Sequence, residues 1–582
     1  MSRRPAPAVT PWRLTLVFGL LLAMFAALLG RVIYLQVLEV DGGRAFLQSQ
    51  GAARAVRTAE IPAYRGLITD RRGQPLAVST PVISLFADPA VLAGVEDLGP
   101  LATALEMPRE ELEERLARYA GKRFMYLRRH EVPAEARRIL ALRFPGVRGA
   151  REYRRFYPAG EVAAQLVGFT NTDGKGIAGL EMAYDEWLRG APGKKQYIKD
   201  MKGEAIRDIG VIEEARPGRN LQLSMDLRLQ YLQHAELQRA IALSGARAGS
   251  IVTLDAHTGE VLAMVNHPVY NPNNREGLVP GSTRNRAMTD VFEPGSTMKP
   301  LTLVAALESG RYSVDTVVDT SPGRIRVGRK VLPDPRNYGE LTLARIIAKS
   351  SQVGITKVAL ELGREPIWDV FQRFGLGQPL GTGFPGESAG LLPNRPRWRQ
   401  IEEVTLAFGY GLTASPLQLA RAYSVFASGG ILPQVSLLRR DPGEFTGERV
   451  LQPAIAREVR DVLHGVTAKD ATGHLARVEG YAVGGKTGTV HKVGASGYLD
   501  NQYVALFAGM APVEDPRFVT VVVLDRPQGD RYGGGAAAAP VFARVARGAL
   551  RLLNVPPGDL LEAEEALALA GNLPGKLAGG GE

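Results

Sequence analysis

One stretch is the most informative about the fold of this chain: Phe292-Glu293-Pro294-Gly295-Ser296-Thr297-Met298-Lys299-Pro300. Pro and Gly interrupt the chain just before a run that can begin a helix, which predicts Ser296 at a helix N-terminus. A spacing of three places Ser296 and Lys299 on one helical face, one turn apart. The lysine amine can then reach the serine hydroxyl, which is the arrangement of an activated nucleophile.

A second lysine stands in Gly484-Gly485-Lys486-Thr487-Gly488-Thr489, a stretch typical of an active-site strand. Lys486 and Thr487 offer a charge and a hydroxyl to a substrate carboxylate, and Gly488 has no side chain to keep a substrate backbone away. A free lysine has a pKa of about 10.4, so Lys299 becomes a base near neutrality only if burial or a second cation lowers that pKa. Lys486 is the candidate for that cation. The two stretches together predict acyl transfer through a covalent serine ester.

A third element, Lys349-Ser350-Ser351-Gln352-Val353-Gly354, lies between these two stretches. A third element often accompanies the two stretches described above, and it consists of serine, any residue and then asparagine. Ser350 can relay a proton, and the amide of Gln352 can donate to a substrate carbonyl from one methylene further out than asparagine. The glutamine is the main departure from the pattern, and it is the strongest argument against turnover.

These elements resemble the class B penicillin-binding proteins, in particular the division-type peptidoglycan D,D-transpeptidases of the penicillin-binding protein 3 family. The pairing of Ser-x-x-Lys with Lys-Thr-Gly is typical of penicillin-binding proteins and class A β-lactamases. The similarity runs from the N-terminal apolar segment to about residue 550. Other stretches that carry it are Tyr270-Asn271-Pro272-Asn273-Asn274, Arg284-Asn285-Arg286-Ala287, Ala407-Phe408-Gly409-Tyr410-Gly411 and Phe507-Ala508-Gly509-Met510-Ala511-Pro512.

The resemblance implies an α+β architecture, with a single transmembrane helix, an extended non-catalytic pedestal and a transpeptidase domain built on a central antiparallel sheet with helical clusters. It implies peptidoglycan stem peptides as substrates, β-lactams as covalent inhibitors, and a membrane glycosyltransferase and other division proteins as partners. It also implies an oxyanion site made by the backbone N–H groups of Ser296 and Thr489. Gln165 stands where relatives often carry histidine, which is a second departure.

Composition agrees with this interpretation on separate grounds. At 582 residues and 45% apolar content, the chain can fill more than one core. It has no cysteine, which excludes disulfides, a cysteine nucleophile and thiolate metal sites. Its seven histidines lack ligand spacing, so neither a metal nor another cofactor is expected. Lys and Arg exceed Asp and Glu by 71 − 60 = 11, which favours anionic surfaces such as lipid headgroups or cell-wall polymers. No motif indicates nucleic-acid binding.

The N-terminus predicts the location. An apolar run from Leu14 to Gly30 continues past Arg31 and reaches the length of about 20 residues needed to span a bilayer. Arginines precede it, whereas Glu39 and Asp41 follow it. Residues 14–38 are therefore predicted to span the membrane, with residues 1–13 in the cytoplasm and the chain after residue 38 in the periplasm. A cleaved signal peptide is the alternative, but no A-x-A site lies at the end of the run.

Beyond the anchor, the resemblance implies three segments. Residues 45–215 form the pedestal, within which the charged section 98–142 is predicted as helical. A charged, proline- and glycine-bearing stretch, Glu213 to Arg219, marks a boundary. Residues 220–555 form the transpeptidase domain, with a helix from Asp226 to Leu237, a hairpin around His257-Thr258-Gly259 and a buried strand from Phe518 to Leu524. Residues 556–582 are expected to be a flexible tail.

Other functions remain open at this stage. A serine β-lactamase would use similar residues but would rarely need an anchor and pedestal. A β-lactam-binding scaffold or sensor without turnover would explain Gln352. A paralogous transpeptidase for elongation or a specialised growth condition would share every element described above.

Overall fold

The structure is a computed structural model that describes residues 11–37, 46, 56–199, 205–441, 443–444, 446–494 and 497–558. The chain divides into two compact units. The first consists of the chain up to Ala63 together with Gly190–Pro217, and the second consists of Tyr64–Arg189 and the chain from Gly218 onward. The predicted tail lies outside the described residues, except for its first three positions.

The first unit contains the apolar helix Pro11–Gln36 and a small sheet. The helix has 26 residues, is long and apolar enough to cross a membrane, and has no buried residue. The sheet has three antiparallel strands, with Gly193–Lys199 between Val56–Ile61 and Ala205–Glu213. A helix therefore covers most of the predicted membrane span, and a spanning helix with no protein around it is expected to face lipid.

The second unit begins with a mixed sheet around the long strand Pro75–Ala87, which pairs with Ile68–Thr69, Met125–Glu131 and Val147–Phe156. Leu221–Gln222 adds to Ile68–Thr69 in parallel. The prediction of a wholly helical section over 98–142 is wrong, because Met125–Glu131 is a strand whose apolar Met125 and Leu127 face the core of this sheet. The short helices here are Pro89–Leu92, Gly99–Ala104, Arg109–Arg118, Pro133–Leu140, Ala164–Val167, Gly179–Ala183 and Asp185–Arg189.

A buried ion network holds this part together. Glu181 is fully buried and accepts from Arg65 Nε at 2.5 Å and from Arg155 Nε at 2.6 Å. Arg65 Nη1 also reaches Asp185 at 2.7 Å. Charges so deeply buried are tolerated only when they are paired and hydrogen-bonded, so removal of one partner would leave an uncompensated charge in the interior.

The central sheet of the second unit has five antiparallel strands in the order Val261–His267, Ala248–Asp255, Phe518–Asp525, Gly497–Ala511 and Gly484–Gly494. The predicted hairpin and the predicted buried strand are both confirmed. The strands are nearly continuously apolar because both faces are covered. Gly484–Gly494, which carries Lys486, lies at the edge of the sheet.

Helices cover the two faces of this sheet. Leu227–Ser244 and Ala539–Leu552 pack on one face, and the predicted helix from Asp226 to Leu237 therefore continues a further two turns. Lys299–Glu308, Pro416–Ala427 and Pro453–Gly465 pack on the other face. The predicted α+β class with helical clusters is confirmed. The remaining helices are Arg286–Thr289, Leu343–Lys349, Gln352–Leu362, Arg364–Arg373, Gln400–Leu406 and Gly534–Ala537.

Further small elements complete the second unit. Three two-stranded ribbons pair Val317–Asp319 with Glu340–Thr342, Arg324–Val327 with Lys330–Pro333, and Ile431–Pro433 with Gly447–Arg449. Short 3₁₀ turns cover Gly160–Val162, Gly295–Met298 and His474–Ala476. The second of these turns carries Ser296.

Candidate active site

Ser296 lies in the 3₁₀ turn Gly295–Met298, which runs directly into the helix Lys299–Glu308. Gly295 makes this turn possible. Its φ of 56° is left-handed, and a Cβ there would lie 2.2 Å from Val490 Cγ1 on the edge strand. Its N–H donates to the carbonyl of Gly409 at 3.0 Å. The turn that carries Ser296 therefore packs between the edge strand and the Gly409 loop.

Lys299 is fully buried one turn after Ser296. Its Nζ donates to the carbonyl of Ser350 at 2.6 Å and lies 3.2 Å from Ser350 Oγ. Ser296 is half-buried, and its hydroxyl makes no hydrogen bond to any other described residue. The contacts of the amine therefore go to Ser350 in this state, and the serine hydroxyl is left for a ligand.

Lys486 approaches the same hydroxyl from the edge strand. Its Nζ lies 3.0 Å from Ser350 Oγ and 3.2 Å from both the carbonyl and Oγ1 of Thr487. Thr487 Oγ1 in turn donates to Thr472 Oγ1 at 3.1 Å. The structure thus brings Lys299, Ser350 and Lys486 together, with the Ser350 hydroxyl between the two amines.

Burial sets the protonation of the two amines. Removal from water lowers the pKa of Lys299 to about 7, opposed in part by the negative charge of Asp334. Burial, reinforced by the charge of Lys299, also lowers the pKa of Lys486 well below its ordinary value. Two ammonium groups that share one hydroxyl in the interior repel each other. The pair therefore gives up a proton near neutrality, which leaves one amine free to act as a base.

Ser350 is held in an unusual backbone conformation between two helices. Its φ is 58° and its ψ is 36°, a left-handed geometry that is uncommon for a residue with a side chain. It ends the helix Leu343–Lys349, and Ser351 caps the next one by accepting from the Gly354 N–H at 2.9 Å. Strain of this kind persists only where the surroundings over-determine it.

Asp334 supplies that constraint, and sequence reasoning missed it. Its carboxylate accepts from Ser351 Oγ at 2.5 Å and from the backbone N–H groups of Gln352 and Val353. The residue is 8% exposed. Its sequence context, an aspartate before a proline, indicates only a turn, so no local signal distinguishes it.

Gln352 occupies the first turn of the helix Gln352–Leu362. Its backbone is fixed by Asp334, whereas its half-buried side-chain amide makes no hydrogen bond to another residue in the described part of the chain. The amide that was predicted to meet a substrate carbonyl is therefore free of internal partners.

The two remaining predicted residues, Gly488 and Thr489, follow Lys486 on the edge strand. A Cβ at Gly488 would lie 2.9 Å from Leu506 Cδ1 and 3.1 Å from Thr297 Cγ2. Packing against the turn that carries Ser296 is thus a sufficient reason for a glycine there. Thr489 is exposed, and its Oγ1 accepts from the Gly534 N–H at 2.9 Å.

Two further contacts support the turn that carries Ser296, and the sequence did not predict them. The buried Tyr423 hydroxyl donates to the carbonyl of Thr297 at 2.7 Å. Glu293 accepts from the Gly411 N–H at 2.8 Å and from the Tyr498 hydroxyl at 2.9 Å. Gly411 belongs to a stretch that the resemblance had singled out without giving it a role, and the structure shows that this stretch supports the Ser296 turn.

Gln165, the second departure noted in the sequence, is buried away from these side chains. Its Nε2 donates to the carbonyls of Pro268 at 2.9 Å and Ser282 at 3.1 Å. The amide thus joins the helix Ala164–Val167 to the segment that follows the strand Val261–His267. Its contacts are structural ones.

Comparisons with known proteins agree with this geometry. The penicillin-binding protein transpeptidase domain matches residues 249–547, and the penicillin-binding protein dimerisation domain matches residues 60–223. The peptidoglycan D,D-transpeptidase FtsI of Escherichia coli (strain K12) is 44% identical over 94% of this chain and 93% of its own. The probable peptidoglycan D,D-transpeptidase PbpC of Pseudomonas aeruginosa is 40% identical over 94% of this chain and 96% of its own.

A solved structure supports the same assignment. The crystal structure of penicillin-binding protein 3 from Mycobacterium tuberculosis, complexed with aztreonam, has a TM-score of 0.66 and 30% identity. The match covers 86% of this chain and 98% of that one. Both domain models occur here in sequence order, and the relatives match nearly end to end. The chain therefore belongs to the class B penicillin-binding proteins and is a peptidoglycan D,D-transpeptidase.

Proposed function

We propose that this transpeptidase cross-links peptidoglycan at the division septum through an acyl-enzyme on Ser296. The observation that carries the proposal is the position of the Ser350 hydroxyl, 3.2 Å from Lys299 Nζ and 3.0 Å from Lys486 Nζ. Both amines are fully buried, and the edge strand that carries Lys486 packs against the turn that carries Ser296. A nucleophile, a base and a proton relay thus converge beside a carboxylate-binding strand.

Acylation begins when a stem peptide ending in D-Ala-D-Ala docks its terminal carboxylate on Lys486 and Thr487. Neutral Lys299 takes the proton of Ser296, whose Oγ attacks the penultimate carbonyl carbon. The oxyanion is held by the backbone N–H groups of Ser296 and Thr489, a type of contact that contributes about 2.7–4 kcal/mol. The peptide C–N bond then breaks, and the terminal D-Ala leaves as its amine receives a proton through Ser350.

Deacylation reverses this path with a different amine. The amine of a neighbouring stem peptide attacks the ester carbonyl, loses a proton to the Lys299–Ser350 pair, and expels Ser296 Oγ, which recovers its proton. One peptide bond forms for the one that was broken, so no energy source is needed. A β-lactam follows the first half of the path, but its leaving amine stays tethered to the acyl group, and the ester on Ser296 persists.

Gln352 is assigned to substrate positioning. Its amide lacks an internal partner in the described chain, and its backbone is locked by Asp334. Glutamine carries the same amide group as asparagine on a stem one methylene longer. Its N–H can therefore donate to an amide carbonyl of the substrate peptide, as asparagine would. The scaffold interpretation loses its main support if this donor is functional.

The apolar helix is assigned to a single span of the cytoplasmic membrane, with the arginine-bearing N-terminus inside and the catalytic part in the periplasm. The helix Pro11–Gln36 supports the span, and the arginines at 3, 4 and 13 support its direction. We assign residues 45–215 to the pedestal, 220–555 to catalysis and 556–582 to the tail. The similarity to FtsI supports a place in division. We also assign a membrane glycosyltransferase and other division proteins as partners, as the family resemblance implies.

A peptide-exchange assay tests the proposal. The full chain in detergent is given a donor ending in D-Ala-D-Ala and a labelled acceptor amine, and product and released D-Ala are measured. We expect equal amounts of both, no product with Ser296→Ala, and normal product with Ser309→Ala as a matched control at the far end of the helix Lys299–Glu308. Penicillin binding without any exchange would support the sensor alternative instead. Localisation of the chain along the lateral wall during septation would contradict the septal assignment.

A further inference from the structure

A cavity distinct from the Ser296 site lies between the sheet around Pro75–Ala87 and the start of the transpeptidase segment. Its volume is about 330 Å³. Four arginines line it, and neither an aspartate nor a glutamate does. The arginines are Arg129, Arg154, Arg155 and Arg275.

Two of the four arginines are paired with carboxylates outside the cavity wall. Arg129 contacts Glu152 at 3.2 Å and Asp173 at 2.9 Å. Arg155 contacts Glu181 at 2.6 Å. Arg129 thus faces two carboxylates, and Arg155 shares Glu181 with the buried Arg65, so the charges of Arg129 and Arg155 are offset by acids outside the cavity lining.

The other two arginines have no carboxylate partner among the described residues. Arg275 donates to the carbonyl of Thr170 at 3.0 Å, and its guanidinium lies 4.6 Å from the ring centre of Phe169. The Arg154 side chain makes no hydrogen bond or ion pair within the described chain, and it is exposed. His130 also lines the cavity, and burial lowers its pKa, so it adds little charge at neutral pH. The cavity therefore holds two uncompensated positive charges.

Two donors in these arginines are buried and unused. Arg155 Nη2 and Arg129 Nε have no hydrogen-bond partner among the described residues, and the Arg155 side chain is only 3% exposed. Buried donors are almost always satisfied, so these two atoms mark a strained part of the cavity wall. An unmet guanidinium donor is especially unfavourable because it carries charge.

We propose that this cavity binds a phosphate group, either as a free phosphate or as the headgroup phosphate of a larger molecule. Guanidinium forks match the oxygens of a phosphate and can bind it bidentately. A dianion balances the charges of Arg154 and Arg275, whereas a single carboxylate would leave one positive charge over.

Titration calorimetry on the full chain in detergent tests this site. The probes are pyrophosphate, inorganic phosphate and a disaccharide-tripeptide, which offers carboxylates in place of phosphate. The Ser296 site is first acylated with penicillin, so that the tripeptide cannot bind there. We expect pyrophosphate to bind more tightly than the tripeptide, with an affinity that falls as salt is added. Tighter binding of the tripeptide, or the absence of pyrophosphate binding at millimolar concentration, would overturn the assignment.

The two uncompensated arginines provide the variants. Arg154→Gln and Arg275→Gln should each weaken pyrophosphate binding at least about tenfold, the loss expected for one charge-assisted hydrogen bond. Arg151→Gln removes the same charge from an exposed position of the same strand, outside the cavity lining, and should bind as the wild type does. Penicillin acylation of each variant shows that it is folded. Equal affinity in all three variants would contradict the proposal.

A second arm with phosphatidylglycerol vesicles separates headgroup binding, which the same variants would weaken, from binding of free phosphate alone.

Discussion

At Ser350, two buried amines meet one hydroxyl, and the chemistry of the site depends on that contact. Ser350→Ala removes the hydroxyl that we propose as the proton relay but leaves both lysines in place. Because general acid–base groups contribute about 10²–10⁴-fold, we expect the rate of penicillin acylation to fall by about 10²-fold or more. Stopped-flow acylation with a reporter β-lactam measures this, and an unchanged rate would show that protons move without Ser350.

The pKa of Lys299 sets the pH dependence of the same step. Its folded value of about 7 means that the amine is protonated below pH 7 and free above it. The acylation rate should therefore rise about tenfold per pH unit below pH 7 and level off above it. The dependence of the second-order acylation constant on pH tests this, and a profile that falls as pH rises through 7 would exclude a neutral lysine as the base.

Asp334 is a positioning residue whose effect can be separated from a purely structural one. Asp334→Asn loses an acceptor for the backbone N–H groups of Gln352 and Val353, so acylation should slow by about tenfold and unfolding should become easier by about 1–3 kcal/mol. The charge of Asp334 raises the pKa of Lys299, so its removal should also move the midpoint of the acylation profile to lower pH. A midpoint that stays in place would argue against electrostatic contact with Lys299.

At the residue scale, the sequence was sufficient to find residues whose positions depend on local spacing. Ser296 and Lys299 are one turn apart in sequence and in space, and the presence of Lys486 in a strand-like stretch could be recognised. Asp334 and Thr472 could not be found, because their roles arise from contacts between segments far apart in the chain. The predicted roles of all these residues remain predictions.

Among the elements of the site, the turn Gly295–Met298 is the one most constrained by packing. Gly295 has positive φ, and a Cβ there would meet Val490 at 2.2 Å. Gly310 also has positive φ but has nothing within 4 Å of such a Cβ. We therefore expect Gly295→Ala to destabilise the protein by about 1–3 kcal/mol more than Gly310→Ala, as measured by urea unfolding. Equal losses would mean that backbone strain alone accounts for the glycine.

Elements with a clear period were predicted well, and those without one were not. The hairpin around His257-Thr258-Gly259 and the strand Phe518–Asp525 carry short apolar runs bounded by turns. The strand Met125–Glu131 was missed because its charged residues, such as Arg128 and Arg129, match a solvated helix as well as an exposed sheet face. Tertiary pairing with Pro75–Ala87 decides between the two.

At the scale of the whole molecule, we propose that a membrane-anchored chain carries a serine that forms a lasting acyl-enzyme. Three features support this proposal: the apolar helix Pro11–Gln36, the mixed sheet around Pro75–Ala87 and the site at the edge of the five-stranded sheet. Charge and composition indicated an anionic environment from the sequence alone, but the arginine cavity needed the structure, because its four arginines come from three separate segments of the chain.

The most direct test is the intact mass of the full chain in detergent after exposure to a penicillin, followed over hours, with Ser296→Ala as the control. We expect one adduct with the mass of the whole drug, which persists in the wild type and is absent from Ser296→Ala. An adduct that disappears rapidly would indicate a β-lactamase. An adduct that survives in Ser296→Ala, or none in the wild type, would contradict the assignment of Ser296 as the nucleophile.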